Sequence, residues 1–243
     1  GIAKYLIEQG ANVNAIHPGT QCSALQLAAG SINIKNPLEI VKLLVEKEAD
    51  INRTGNYCGP AIMEAAIAGH LNIVQYLFEK KADINQQNAS SYPLYEAVIN
   101  HHQDVAQWLI EQGANPNIAS KDGSTAVHII AQFMPALFET VLAQGGKFTL
   151  DNNGRGVLGY ALSGNNQAIA KKMLTMELSQ EELDDALRIA TSTKNNDMIK
   201  ALLKKGANPK AKDPWGESAV SISKVLNNEK KQNNLQQTAD LPW

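Results

Sequence analysis

Ala65-Ala66-Ile67-Ala68-Gly69-His70-Leu71-Asn72-Ile73-Val74-Gln75-Tyr76-Leu77-Phe78, followed by Lys81-Ala82-Asp83-Ile84-Asn85, is the stretch on which the reading of this chain turns. In Ile73 to Phe78 the apolar residues recur at i, i+1, i+3 and i+4. That spacing makes a wide helical stripe and not a strand alternation. A shorter helix, Pro60-Ala61-Ile62-Met63-Glu64-Ala65-Ala66, comes first. Its Ala pair lets neighbouring helices approach closely. The closing phrase then ends the long helix.

The same succession recurs along the chain. The phrase reads Gly10-Ala11-Asn12-Val13-Asn14, Glu48-Ala49-Asp50-Ile51-Asn52, Lys81 to Asn85, Gly113-Ala114-Asn115-Pro116-Asn117 and Gly206-Ala207-Asn208-Pro209-Lys210, with a degenerate copy at Gly145-Gly146-Lys147-Phe148-Thr149. Closing residues fall at 14, 52, 85, 117, 149 and 210. The last interval spans two repeats, one of which has lost its phrase. Where Gly opens the phrase, it takes the left-handed conformation without penalty. Short helices begin near Ser23, Pro60, Tyr92-Pro93 and Thr125, and Pro near a first helical position has a preset φ.

A short helix like Thr-Pro-Leu-His-x-Ala-Ala, then Gly-His, a longer helix and Gly-Ala-Asp-Val-Asn resembles the ankyrin repeat. Thr125-Ala126-Val127-His128 is similar to the helix start, and Asp151-Asn152-Asn153-Gly154 and Asp213-Pro214-Trp215-Gly216 to the loop tip. The resemblance covers about residues 1–226 and implies an all-α, ankyrin-repeat solenoid of stacked helix-turn-helix units. Gly1 begins inside a second helix, so the first repeat is expected to be truncated and the chain to be a fragment of something longer. Extra residues at Gly30 to Pro37 lengthen one helix-helix turn, and Phe133-Met134-Pro135 replaces Gly-His in the fifth repeat. After Met176-Glu177-Leu178 a capping box, Ser179 with Glu182, restarts a helix. A single helix near Glu217 to Leu226 is expected to cap the array. The polar tail, 227–243, is expected to be mobile, with Leu241-Pro242-Trp243 as a possible packing or binding peptide.

Composition narrows the function. With 44% hydrophobic and 19% charged residues the chain can bury a core. Net charge is −2, and no long run of Lys and Arg stands out, so nucleic acid is not expected as a partner. No apolar run approaches the ~20 residues of a membrane span. Two cysteines, Cys22 and Cys58, are read as forming no disulfide framework and no metal site, which makes a reducing cytosol the simplest compartment. His101 and His102 are adjacent, and helical neighbours point about 100° apart, so one ion cannot easily take both. No catalytic motif occurs. No cofactor, metal or catalytic residue is expected, and the chain is not expected to be an enzyme.

What remains is a partner-binding surface. The repeat dictates the packing positions, so information for a partner lies in the loop tips and just after the Ala pairs. The expected partner-binding residues are Asn56, Tyr57, Ile67, Asn88, Ile99, Asn100, Lys121, Phe133, Arg155 and Trp215. Tyr57 and Trp215 occupy equivalent tips, and Ile67, Ile99 and Phe133 follow Ala pairs, making an apolar stripe of the kind an interface core needs. The expected function is a monomeric protein–protein interaction scaffold that uses the concave face of its third to fifth repeats. An alternative is the recognition or regulatory portion of a longer enzyme, or of a secreted bacterial effector. The Asn-rich repeats resemble ankyrin proteins of intracellular bacteria that act on host proteins, which implies secretion into a host cell.

Overall fold

The structure, a computed structural model, describes residues 2–55 and 57–223. The chain divides into two units, Gly1–Lys147 and Phe148–Trp243. Unit 1 holds α1 (Ile2–Glu8), α2 (Ala24–Ala29), α3 (Pro37–Glu46), α4 (Ala61–Ile67), α5 (Leu71–Glu79), α6 (Pro93–Ile99), α7 (Gln103–Glu111), α8 (Ala126–Phe133), a 3-10 turn at Pro135–Leu137, and α9 (Phe138–Ala143). Unit 2 holds α10 (Val157–Ser163), α11 (Gln167–Met173), α12 (Gln180–Ser192) and α13 (Asn196–Lys205), and residues 219–223 are helical. Among the described residues there is no strand, only isolated bridges at Ile16–Ser23 and Leu150–Gly156.

In unit 1 the helices α2, α4, α6 and α8 pack in one row and α1, α3, α5, α7 and α9 in a second. The helical stripe is what fills the space between the rows. Val41, Ile73, Val74, Leu77, Val105 and Leu109 are fully buried, and the Ala pairs Ala28-Ala29 and Ala65-Ala66 lie in the core beside them. Trp108 of α7 is half-buried. It meets Phe78 of α5 edge-on, with 5.4 Å between ring centroids.

The recurring phrase has a physical cause. Its third residue holds the backbone two places on: Asn12 Oδ1 accepts from the Asn14 N–H, Asp50 from Asn52, Asp83 from Asn85, and Asn115 from Asn117. The closing Asn reaches forward to the next repeat. Asn14 Oδ1 accepts from the Asp50 N–H at 2.9 Å, Asn52 from Asp83 at 3.0 Å, Asn85 from Asn115 at 2.8 Å and Asn117 from Lys147 at 2.8 Å. Asn14 and Asn117 also donate Nδ2–H to the Glu48 and Gly145 carbonyls. An Asp could accept but not donate there. His70 and His102 add further ties, each donating Nε2–H at 2.9 Å to a carbonyl of the preceding repeat, Ser31 and Ile67. Gly10, Gly113, Gly145 and Gly206 all have positive φ, and where the phrase opens without glycine, Glu48 and Lys81 take the same conformation.

The first correction concerns the cysteines. Cys22 and Cys58, expected to be unpaired, form a disulfide with a Cα–Cα distance of 5.6 Å. Each precedes the short helix of its repeat, and adjacent repeats stack in register, so the 36-residue separation becomes contact. The bond removes the ground on which a reducing cytosol was expected.

A second correction concerns Ser179 and Glu182. Ser179 Oγ accepts from the Glu182 N–H at 3.2 Å, but the Glu182 carboxylate does not return to Ser179; it accepts from the Val157 N–H instead. The expected terminal helix starts at residue 219, and its end, like the tail, lies outside the described residues.

Candidate functional site

The residues expected to bind a partner fall into two groups, one in each unit. Asn56 lies outside the described residues. In unit 1, Tyr57 is 80% exposed, Phe133 45% and Ile99 41%. Ile67 is half-buried, and its carbonyl is held by His102. Counted from their caps, Ile67 and Ile99 stand seven places after Pro60 and Tyr92, whereas Phe133 stands eight after Thr125. Phe133 therefore corresponds to Asn100, and its ring packs edge-on against His101 at 5.2 Å. That contact joins the fourth repeat to the fifth, and sequence spacing did not point to His101.

Three of the polar residues have internal duties. Asn88 Oδ1 accepts from the Ser90 and Ser91 N–H groups and shapes its tip. Asn100 Nδ2 donates to the Glu96 carbonyl and carboxylate. The Lys121 N–H donates to the Ser90 carbonyl and ties two tips together. Beside it, burial alone would raise the pKa of Asp122, but donation from the Ser120 and Ser124 hydroxyls and the Ser124 N–H holds it below the usual carboxylate value. These bonds fix the shape of the tip from within the chain.

In unit 2 the lost phrase is replaced by an added first turn of α12. Gln180 Nε2 donates to the Gly206 carbonyl at 3.0 Å and to Asp184 Oδ1 at 2.8 Å, while Asp184 Oδ1 accepts from the Asn208 N–H at 2.6 Å. These are the two backbone groups that a single phrase Asn holds in unit 1. Two further carboxylates of α12 cap α10, which begins at Gly156 with no side chain of its own to do so. Asp185 Oδ2 accepts from the Gly156 N–H at 3.0 Å and Glu182 Oε1 from the Val157 N–H at 3.2 Å. Negative charge is favourable at a helix start. A Cβ at Gly159 would run into the Asp185 carboxyl, so the close approach needs glycine there.

Desolvation dominates these carboxyls. Burial raises the pKa of Glu182 to about 7, against the lowering effect of the Val157 N–H. Burial raises that of Asp185 to about 6, against the Gly156 N–H, Arg188 and Arg155. Both folded values exceed the unfolded ones. Their contribution to stability is therefore fully present below the unfolded pKa and is lost as pH rises through 6 to 7. Unit 2 should gain on the order of 2 kcal/mol on going from pH 8 to pH 5.5. Hydrogen exchange of unit 2 amides measures this, and Glu182→Gln should flatten the profile.

Asp151, Asn153, Arg155, Tyr160, Asp185, Arg188, Asp213, Trp215 and Glu217 line a cleft of about 360 Å³ in unit 2. Two of the expected residues, Arg155 and Trp215, meet in it. Trp215 is 68% exposed. Asp151 Oδ1 accepts from the Asn153 and Arg155 N–H groups, and Oδ2 from the Tyr160 hydroxyl at 2.9 Å. Arg188 and Tyr160 escaped the sequence reading because each stands where the repeat places a packing residue.

Stacked helix pairs, tied by phrase and tip bonds and presenting variable loop tips, define an all-α repeat scaffold. The family model for ankyrin repeats in three copies matches residues 35–120, 62–144 and 94–184, and that for a single ankyrin repeat matches 184–214. The chain belongs to the ankyrin repeat family. Ankyrin repeats are in general protein–protein interaction modules, and domains built from them are typically non-catalytic. No helix among the described residues is long and apolar enough to cross a membrane.

Proposed function

We propose that this chain binds a partner protein through the concave face of its repeats, acting as a monomeric, non-enzymatic scaffold that does not use nucleic acid. The exposure of Tyr57, Ile99 and Phe133 carries this reading. Nearly every other apolar side chain of the third to fifth repeats is consumed in stacking, so three large apolar groups left open at loop tips and helix ends have the character of interface anchors. Asn88, Asn100 and Lys121 supply a polar rim whose geometry is already braced from within. Affinity capture followed by mass spectrometry should return a partner protein. The pair Tyr57→Ala and Ile99→Arg should weaken that capture at least about tenfold with an unchanged circular dichroism spectrum. Undiminished capture by the double variant would sink the assignment of this face.

A further inference from the structure

The row of α2, α4, α6 and α8 has one charged place. Leu27, Glu64, Glu96 and Ile129 each stand four residues after the cap of their helix, and Gly30, Ile67, Ile99 and Gln132 stand three residues further on. Residues three apart lie on one face of a helix, so these eight positions form two adjacent strips across the row. Glu64 and Glu96 are the only charged residues among them, and both are half-buried.

Their bonding leaves a demand for a cation. Glu64 Oε1 accepts from the Gly59 N–H at 2.7 Å, and Glu96 Oε2 accepts from Asn100 Nδ2 at 3.2 Å. Among the described residues neither carboxylate has an ion-pair partner, and the second oxygen of each accepts no hydrogen bond. A Cβ at Gly30 would come within 3.2 Å of Glu64 Oε2, so glycine there keeps that oxygen uncovered. Burial raises the pKa of Glu64, the Gly59 N–H opposes the rise, and the charge of Glu96 adds to it. Two carboxylates that feel each other in a partly desolvated place are both relieved by one opposite charge.

Ser91 points the same way. Its side chain is only 7% exposed, and its Oγ has no hydrogen-bond partner among the described residues. Ser91 precedes the cap of α6 as Gly59 precedes the cap of α4. Asn88 joins the two places: its Oδ1 accepts from the Ser91 N–H at 2.8 Å, and its Nδ2 lies 3.5 Å from where a Gly59 Cβ would stand. A buried hydroxyl oxygen left open is an acceptor in waiting.

We propose that Glu64 and Glu96 receive a basic side chain, arginine or lysine, of the partner protein, with Ile67 and Ile99 packing against its aliphatic stem. Long cationic side chains lay their methylenes along apolar surface while the charged head reaches its partners. A doubly negative place with no charge in the flanking Leu27, Ile129, Gly30 and Gln132 positions rejects an acidic side chain and gives an uncharged one no gain. The inference rests on the partner-binding reading above and names the chemistry that this face selects.

The test uses the full chain and capped pentapeptides Ala-Leu-Xaa-Leu-Ala with arginine, glutamine or glutamate at Xaa. The arginine peptide should give saturable shifts of the Ile67 and Ile99 methyl and the Glu64 and Glu96 carboxyl resonances, with affinity on the order of millimolar. The double variant Glu64→Gln/Glu96→Gln keeps the acceptor for the Gly59 N–H and removes both charges. It should weaken the arginine peptide at least about fivefold and leave the glutamine peptide unchanged. Absence of a saturable response, equal binding of the arginine and glutamine peptides, tighter binding of the glutamate peptide, or full binding of arginine by the double variant would each overturn the proposal. Partner capture that depends on Tyr57 and Ile99 but is unchanged in Glu64→Gln/Glu96→Gln would overturn this inference and leave the assignment of the face standing.

Discussion

Leu109→Ala should lower the stability of unit 1 by about 2–5 kcal/mol. The side chain is fully buried, and α7 packs against α6 of its own repeat and against α5 and α9 on either side. Truncation therefore removes apolar contacts within the repeat and leaves a cavity that its neighbours fill only in part. In a repeat stack the stability of each repeat is partly intrinsic and partly shared with its neighbours, so the damage should spread to the adjoining repeats and not remain local. Urea unfolding followed by circular dichroism measures the effect. The exposed residue Gln107, on the opposite side of α7, serves as the control, and Gln107→Ala should cost less than about 0.5 kcal/mol. A loss under about 1 kcal/mol at Leu109 would mean that α7 does not pack as described.

Reduction of the Cys22–Cys58 bond should be the next largest effect. Cross-linking positions 36 residues apart constrains the unfolded chain by about 3–4 kcal/mol in the chain-entropy account. The measured loss should fall at the lower end. Gln26, buried beside the bond, holds the same two repeats together after reduction, because its Nε2 donates to the Gly59 carbonyl at 2.7 Å and the Arg53 carbonyl at 3.1 Å. Thermal unfolding with and without reductant, and of a Cys22→Ser/Cys58→Ser variant, gives the number. Two titratable thiols in unreduced, denatured protein would rule the bond out.

The two units differ in how far their organisation could be read. In unit 1 the helices, their order and their stacking were legible because the residues that make inter-repeat bonds recur as visible types. Asn14, Asn52, Asn85 and Asn117 each occupy one half of a bond whose other half is a backbone group, so identity and spacing both survive in the sequence. In unit 2 the same backbone groups at Gly206 and Asn208 are held by Gln180 and Asp184 together. Two side chains one helical turn apart do the work of a single Asn, and nothing in their spacing resembles it. Asp185, the next residue of α12, caps a neighbouring helix.

The candidate surface was legible to the extent that exposure follows from the repeat. Tyr57, Ile99 and Trp215 stand at positions the stack does not need, and they are open; Phe133 is open as well, although its ring also braces His101 of the preceding repeat. Asn88 and Lys121 were selected on the same ground, but they also brace the tips from within, because a polar side chain or backbone group at a tip finds a neighbour when adjacent repeats are close.

Sequence by itself determined the class of the chain: the helical stripes, the small residues at close approaches, and the Asn phrase whose chemistry demands a repeat on either side. Those are local or nearest-neighbour properties, so they leave a period in the chain. Tertiary structure alone decided which side chains meet across repeats. It paired Cys22 with Cys58, sent Glu182 and Asp185 to the start of α10, set His101 on Phe133, and gathered Arg155, Arg188 and Trp215 around one cleft. Each of these depends on the register between stacked repeats, and register is fixed by packing, which no single residue carries.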